Sequence, residues 1–402
     1  MWNECEGGVT APRGFTAAGV HCGVKRNKKD LALVVSSVPS HAAAMFTRNS
    51  VPAAPILVDR QQLRTGSAVR VLVVNSGNAN ACTGERGLND AWTMVRETAR
   101  AVGVPEREVL VSSTGVIGQY LPMEKVTAGI AAAALAVSPA GGTDAADAIM
   151  TTDTFRKELA VRVDLGGVTA TLGGMAKGSG MIAPNMATML GFVTTDAAVH
   201  PALLQRALRD AVDRSFHRIT VDGDTSTNDM VAILANGMAG NTPVEAADDP
   251  RYAAFAGALE HLLVRLAKMV VVDGEGATKF VEIEVRGAAS EDDAVRAARA
   301  VANSSLVKTA IHGEDANWGR ILAAVGNAGI PFDPAQTAIS IGTVPVLRPP
   351  YVIDFSEEEA KQVLSQKEVR ILVDLHAGEG SALFWTCDLS KEYVAINANY
   401  RS

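Results

Sequence analysis

The chain has 402 residues, enough for two or three core-forming units, and its 48% hydrophobic and 20% charged residues fit a folded, water-soluble protein. A formal net charge of −7, with no Lys/Arg-rich stripe, argues against a nucleic-acid binder. Met1–Val24 has no basic segment followed by an apolar one, and no window reaches ~18 consecutive apolar residues, so no leader and no membrane span are expected. Leu31–Ser36 and Val69–Val74 are dense in β-branched residues and predict buried strands; between the N-terminus and the first of them, Lys25–Lys29 is the densest basic run and reads as a solvated loop. Leu88–Val102 has helical spacing, Val109–Ser113 predicts a short strand ending in a Ser-Thr-Gly turn, and Met123–Ala136 an alanine-rich helix. Glu158–Val163 and Val168–Leu172 flank Gly166-Gly167, a hairpin signal. A glycine-rich segment, Gly173–Gly180, precedes a strand at Met189–Thr195 and a helix at Pro201–Ser215 with proline in its first turn. Further on come a strand at Met230–Ala235, the longest helical pattern at Tyr252–Met269, a half-buried strand at Lys279–Val285 and a helix at Glu291–Asn303 capped by Ser290. Val369–Leu375 and Tyr393–Asn397 read as short strands. This irregular alternation predicts mixed sheets with helices on their faces.

The four cysteines, Cys5, Cys22, Cys82 and Cys387, form no C-x-x-C pair and accompany no His-rich helix. Incidental thiols in a reducing compartment are the expectation, with no disulfide framework and no metal site.

The most unusual stretch runs from Lys177 to Leu190: Gly178, Gly180 and Pro184 punctuate a loop that delivers Thr188 to the start of a hydrophobic strand. If the Ala187–Thr188 peptide is held strained, the Thr188 hydroxyl can attack the Ala187 carbonyl; this N-to-O shift gives an ester, water hydrolyses it, and the product has a free α-amine beside the same hydroxyl. With a reference pKa of roughly 7.7–8.0, that amine can serve as general base for its own hydroxyl. On residue type alone, Thr188 is only a threonine that starts a strand. Ser112–Gly118 offers a turn for an oxyanion hole, with the Thr114 hydroxyl and the Gly115 N–H as adjacent donors. Asn75–Gly84, Thr220–Asp229 and Asp273–Lys279 are small polar segments at strand ends, each explicable as a turn with local side-chain hydrogen bonds and together suggestive of one cleft.

Taken together, Asn75–Gly84, Ser113–Gly118, Thr151-Thr152-Asp153-Thr154, Lys177–Leu190, Val221–Asp229, Gly274–Lys279 and Tyr393–Ser402 resemble the ornithine acetyltransferase (ArgJ) family, the bifunctional glutamate N-acetyltransferases of arginine biosynthesis, over essentially the whole chain. The resemblance implies an α/β fold of layered mixed β-sheets flanked by helices. This is the ArgJ/DmpA-like sandwich, similar in layout to N-terminal nucleophile hydrolases but differently connected. It also implies cleavage between Ala187 and Thr188 into an α chain (1–187, a first layered domain with the oxyanion turn) and a β chain (188–402, a second domain with a C-terminal substrate-binding tail), the active site lying between the two domains. Two α and two β chains would form a heterotetramer in the cytoplasm. By the same resemblance Thr188 is the nucleophile, Thr114 and Gly115 are the oxyanion donors, and Thr154, Lys177, Thr188, Glu275, Asn397 and Ser402 contact substrate. The substrates implied are N-acetylornithine and glutamate, with no resident cofactor; whether acetyl-CoA is a second acetyl donor stays open. His217 stands where a smaller polar residue would be expected. The competing readings are a self-processing aminopeptidase or amidase with the same nucleophile, and an uncut binding protein; a P-loop or Rossmann site lacks its fingerprint.

Overall fold

The computed structural model describes residues 2–64, 66, 68–183 and 189–399. The chain divides into two compact units, Met1–His217 with Asp224–Val270, and Arg218–Gly223 with Val271–Ser402. The expected boundary at 187/188 is a division of the chain by cleavage, and the compact units do not follow it. The strands on either side of that boundary are neighbours in one sheet of the first unit.

The first unit holds β1 (Trp2–Cys5), β2 (Phe15–Val20), β3 (Leu31–Phe46), β4 (Val69–Asn78), β5 (Val109–Val116), β6 (Lys157–Asp164), β7 (Thr169–Lys177), β8 (Leu190–Thr195) and β9 (Met230–Ala235). They form one sheet in the order β1-β6-β7-β8-β9-β3-β4-β5, with β2 also on β3. The long β3 joins two halves. Leu31–Val35 pairs with β2 and β4, while His41–Phe46 pairs with β9, the register shifting between Val35 and Ser40. β4/β5 and β8/β9 are parallel and the other pairs antiparallel, so the sheet is mixed, as expected.

The continuous apolar runs follow from burial on both faces. Ala32 and Val34 enter one core with Leu72, Val74 and Leu110, while Leu31, Leu33 and Val35 enter another with Val71, Val73, Val109 and Val111. Side chains alternate across a strand, so a strand buried on both sides shows no polar alternation. The β6/β7 hairpin turns through Gly166 and Gly167, both at positive φ, as the sequence signal requires. The helix Pro250–Val272 lays Leu262 and Leu266 over Gly174 of β7, where any side chain would collide with them.

The second unit holds β10 (Phe280–Ala288), β11 (Ala338–Ile341), β12 (Val344–Leu347), β13 (Glu368–Asp374) and β14 (Gly380–Cys387), in the order β12-β11-β13-β10-β14. The helix Glu291–Asn303 buries Ala294, Ala297, Ala298, Val301 and Ala302 in the same core as Val281, Ile283 and Val285. Those positions recur at helical spacing. Ser290 caps this helix by accepting from the Asp293 N–H, as expected.

One expectation is corrected here. Tyr393–Asn397 is not a strand; it lies in the helix Lys391–Ala398, which starts where Ser390 accepts the Glu392 N–H. A capping serine outweighs the strand propensity of Tyr, Val and Ile. The glycine-rich segment Gly173–Gly180 begins within a strand, Gly173–Lys177 being the paired second half of β7. Its glycines serve close approach, because a Cβ on Gly173 would stand 2.0 Å from the Gly8 carbonyl oxygen. No helix among the described residues is long and apolar enough to cross a membrane.

Candidate active site

In the first unit the ends of β4 and β5 run parallel, with Asn75 opposite Ser113, Ser76 opposite Thr114 and Gly77 opposite Gly115; the register then shifts at Asn78, which faces both Thr114 and Val116. Thr114 and Gly115 therefore belong to the strand and are not in a turn beyond it. The bulge at Asn78 supplies the local irregularity expected of a turn. Gly115 has φ +132°, and a Cβ there would lie 2.3 Å from the Gly77 carbonyl carbon and 2.5 Å from the Asn78 nitrogen, so the position admits only glycine. Side chains brace these strand ends. Ser113 Oγ donates to Asn75 Oδ1 (2.5 Å), and Asn228 Nδ2 donates to the Ala79 (2.6 Å) and Ser113 (2.8 Å) carbonyls.

Lys177, the last residue of β7, is buried and directs its Nζ to Thr114 Oγ1 at 3.4 Å. Two residues assigned to the site by sequence are thereby brought together. Thr154 is exposed, but its neighbour Asp153 is buried and ties the region together. Asp153 accepts from Thr151 N (2.8 Å), Gly178 N (2.7 Å) and Lys157 Nζ (2.7 Å), and Lys157 is fully buried. Burial pushes the Asp153 carboxyl up, but the Lys177 and Lys157 ammonium groups and the Gly178 N–H outweigh it and hold the carboxyl well below the usual range.

Two further groups in this unit escaped the sequence reading. Lys25 is not a solvated residue: it is half-buried, its Nζ donates to the Met150 carbonyl at 2.7 Å, and its pKa falls to about 8. Burial is the main cause; Asp30 and Asp153 oppose the fall, and Lys28 and Lys177 add to it. Asp229 is fully buried and accepts the Met189 N–H at 2.9 Å, its other carboxyl oxygen having no hydrogen-bond partner among the described residues. Burial pushes its pKa up, against the Met189 N–H, the Lys177 ammonium and Thr47, which lower it. No local signal marks either residue, because the partners of Lys25 lie 5 to 125 positions away and Asp229 is 40 positions from Met189. Upstream of residue 184, Met181 takes the left-handed conformation at φ +57°, an uncommon and costly state for a residue with a side chain. Ala187 and Thr188 lie outside the described residues. His217 caps no site; its Nδ1 sits 2.7 Å from Asp213 Oδ1.

In the second unit Asn397 Nδ2 donates to Glu275 Oε2 at 2.8 Å, so these two assigned residues also meet. The helix made of residues first read as a strand is what brings them together. Ser390, at its start, donates to the Gly276 carbonyl (2.6 Å), and Gly276 is at φ +69° where a Cβ would stand 2.5 Å from the Tyr393 nitrogen. Ser402 lies outside the described residues. Among the described residues no group of three or more His, Cys, Asp or Glu side chains could hold a metal ion.

The model of the ArgJ family matches residues 16–402. The chain is 56% identical over 399 residues to the arginine biosynthesis bifunctional protein ArgJ of Symbiobacterium thermophilum, covering 98% of this chain and 99% of that one. It is 50% identical over 401 residues to the protein of the same name from Caldanaerobacter subterraneus subsp. tengcongensis, covering 99% of each. Among solved structures it is similar to ornithine acetyltransferase complexed with ornithine from Mycobacterium tuberculosis, at 44% identity over 46% of this chain and 98% of that chain, with a TM-score of 0.43. With a family match over nearly its full length and relatives at half identity or better, the chain belongs to the ArgJ family.

Proposed function

We propose that the protein is a glutamate N-acetyltransferase (ornithine acetyltransferase) of arginine biosynthesis, which moves the acetyl group of N2-acetylornithine to glutamate through an acetyl-Thr188 intermediate. The observation that carries this reading is the buried meeting of Lys177 with Thr114, with Asp153 holding the N–H of the following Gly178, just upstream of Ala187-Thr188, in a chain of the ArgJ family. Cleavage starts when the Thr188 hydroxyl attacks the Ala187 carbonyl; the C–N bond breaks as the ester C–O bond forms, which frees the Thr188 α-amine, and water then hydrolyses the ester to release the Thr188 hydroxyl and the Ala187 carboxylate. In the transfer, Thr188 Oγ attacks the acetyl carbonyl while its α-amine takes the hydroxyl proton and passes it to the departing ornithine nitrogen. Thr114 and Gly115 stabilise the oxyanion, and Lys177 beside them adds positive charge where negative charge develops. The amine of glutamate then attacks the ester, and Oγ recovers a proton.

Thr154, Glu275, Asn397 and Ser402 orient the substrates, with Glu275 as partner for an ammonium group. The reaction as written needs no resident cofactor or metal. Acetyl-CoA is proposed as a second acetyl donor, the cytoplasm as the compartment, and a heterotetramer of two α and two β chains as the assembly. Intact-mass spectra of the native protein and a Thr188→Ala variant test the cleavage. Two fragments meeting at Ala187/Thr188, absent in the variant, are expected. The transfer is tested by incubating the native protein with N-acetylornithine and glutamate, where free acetate in place of N-acetylglutamate would turn the reading towards a hydrolase.

A further inference from the structure

The two substrates of the proposed reaction differ in charge at the end of the side chain, an ammonium in the donor and a carboxylate in the acceptor. We propose that Lys25 is a specificity-determining residue that receives the side-chain carboxylate of the acceptor; the proposal rests on the function given above.

Lys25 is held in place by the fold. The buried Asp30 accepts three backbone N–H groups from the loop before β3, those of Cys22 (2.6 Å), Gly23 (3.0 Å) and Lys25 itself (2.8 Å). That arrangement fixes the loop and turns the lysine inward. The stem lies over Gly77, where a Cβ would stand 2.8 Å from Lys25 Cγ, and Gly77 is the register partner of Gly115. The head reaches the Met150 carbonyl, three residues before Asp153 and four before Thr154. Lys25 thus links the strand ends bearing the oxyanion residues to the loop that carries Thr154.

The simplest alternative is that Lys25 only caps the helix Gly142–Ile149, whose last carbonyls attract a cation. That role uses one of three N–H groups, and the other two have no partner among the described residues. Charge points the same way. Lys25 lies near Lys28 and Lys177 as well as Asp30 and Asp153, and the two carboxylates already accept from backbone N–H groups and Lys157. Keeping an ammonium half-buried is costly, which shows in the fall of its pKa to about 8. An arriving carboxylate relieves that cost, whereas a second ammonium would add to it. The same charge therefore favours exchange of ornithine for glutamate on the acetylated enzyme.

The two half-reactions can be measured separately: release of ornithine from N-acetylornithine, and loss of the acetyl group to an added amino acid. Lys25→Gln keeps a donor for the Met150 carbonyl and removes only the charge; Lys25→Arg keeps the charge. We expect Lys25→Gln to raise KM for glutamate roughly 10- to 100-fold, as the loss of a charge-assisted hydrogen bond does, and Lys25→Arg to restore most of it. Glutamine, isosteric but uncharged, should lose far less on the same substitution, so the preference for glutamate over glutamine collapses. An equal loss in both half-reactions, or an unchanged preference, overturns the assignment and leaves Lys25 a helix cap. A native protein that releases no ornithine overturns the proposed function itself.

Discussion

Two buried aspartates, one in each unit, are solvated by the protein in opposite ways. Asp388, at the end of β14, accepts from Thr278 N (2.7 Å), Lys279 N (2.9 Å) and Thr278 Oγ1 (2.6 Å), and lies 2.7 Å from His312 Nδ1. These donors are mostly neutral and all are used up on the one carboxylate. Nearby, Lys279 turns its ammonium to Glu314 and the Leu364 carbonyl. Asp153 in the first unit is held instead by Lys157 and two N–H groups, with Lys177 and Lys25 close enough to shift its charge or be shifted by it. Where donors and acceptors match, the group ties strands together. Around Asp153, Lys157, Lys177 and Lys25 all lie within range of the one carboxylate.

The largest effect should come from Asp153→Ala. It leaves the fully buried Lys157 without its counter-ion and should cost about 3–5 kcal/mol in denaturant unfolding. Adding Lys157→Met should recover most of that loss, and a single-variant cost under about 1 kcal/mol would break the contrast between the two aspartates.

Next in size, Thr114→Val should lower kcat roughly 10²- to 10³-fold, as loss of an oxyanion donor does, with the melting temperature nearly unchanged. A large drop in melting temperature would make Thr114 a structural residue.

Asp388→Asn should cost about 1.5–3 kcal/mol, the worth of hydrogen bonds to a charged group. Burial raises the Asp388 pKa, but Thr278, His312 and Lys279 outweigh it and hold the pKa below the ordinary carboxylate value. The stabilisation is therefore complete above about pH 4, the unfolded-state value, and disappears as pH falls through the depressed one. The variant should flatten this acid limb of the stability curve while leaving kcat alone, and an unchanged limb would show that Asp388 is not its source.

The smallest effect concerns pH and acceptor binding. Lys25, surrounded by Asp30, Lys28, Lys177 and Asp153, loses its proton near pH 8, so KM for glutamate should rise a few-fold above that pH. Lys25→Arg should stay flat over the same range, because guanidinium does not titrate there. Parallel profiles in the two proteins would assign the titration to another group.

The strands and helices were largely legible because their signals are local. β-branched runs marked β3, β4 and β9, Gly166-Gly167 marked the β6/β7 turn, and Ser290 marked a helix start. The misreadings came where two local signals compete or where a distant backbone decides. Tyr393–Asn397 carries strand-forming residues behind a capping serine, and Lys25 sits in a basic run yet is half-buried over Gly77 with its Nζ on the Met150 carbonyl. Of the site, Thr114, Gly115, Lys177, Glu275 and Asn397 were named from motifs, yet nothing in the motifs indicated that Lys177 reaches Thr114 or that Asn397 reaches Glu275.

By itself the sequence determined the element types and the identity of the reactive and polar side chains, since turn chemistry, capping and hydrophobic runs act over a few residues. Only the tertiary structure decided what charge those side chains carry and whom they meet. Lys25 lies between Arg26 and Val24 in sequence but among Asp30, Gly77 and Met150 in space, and the Asp229 carboxyl has its pKa raised only because the sheet buries it beside Met189. Protonation and pairing depend on the local dielectric and on neighbours dozens of positions away, which no short window of sequence contains.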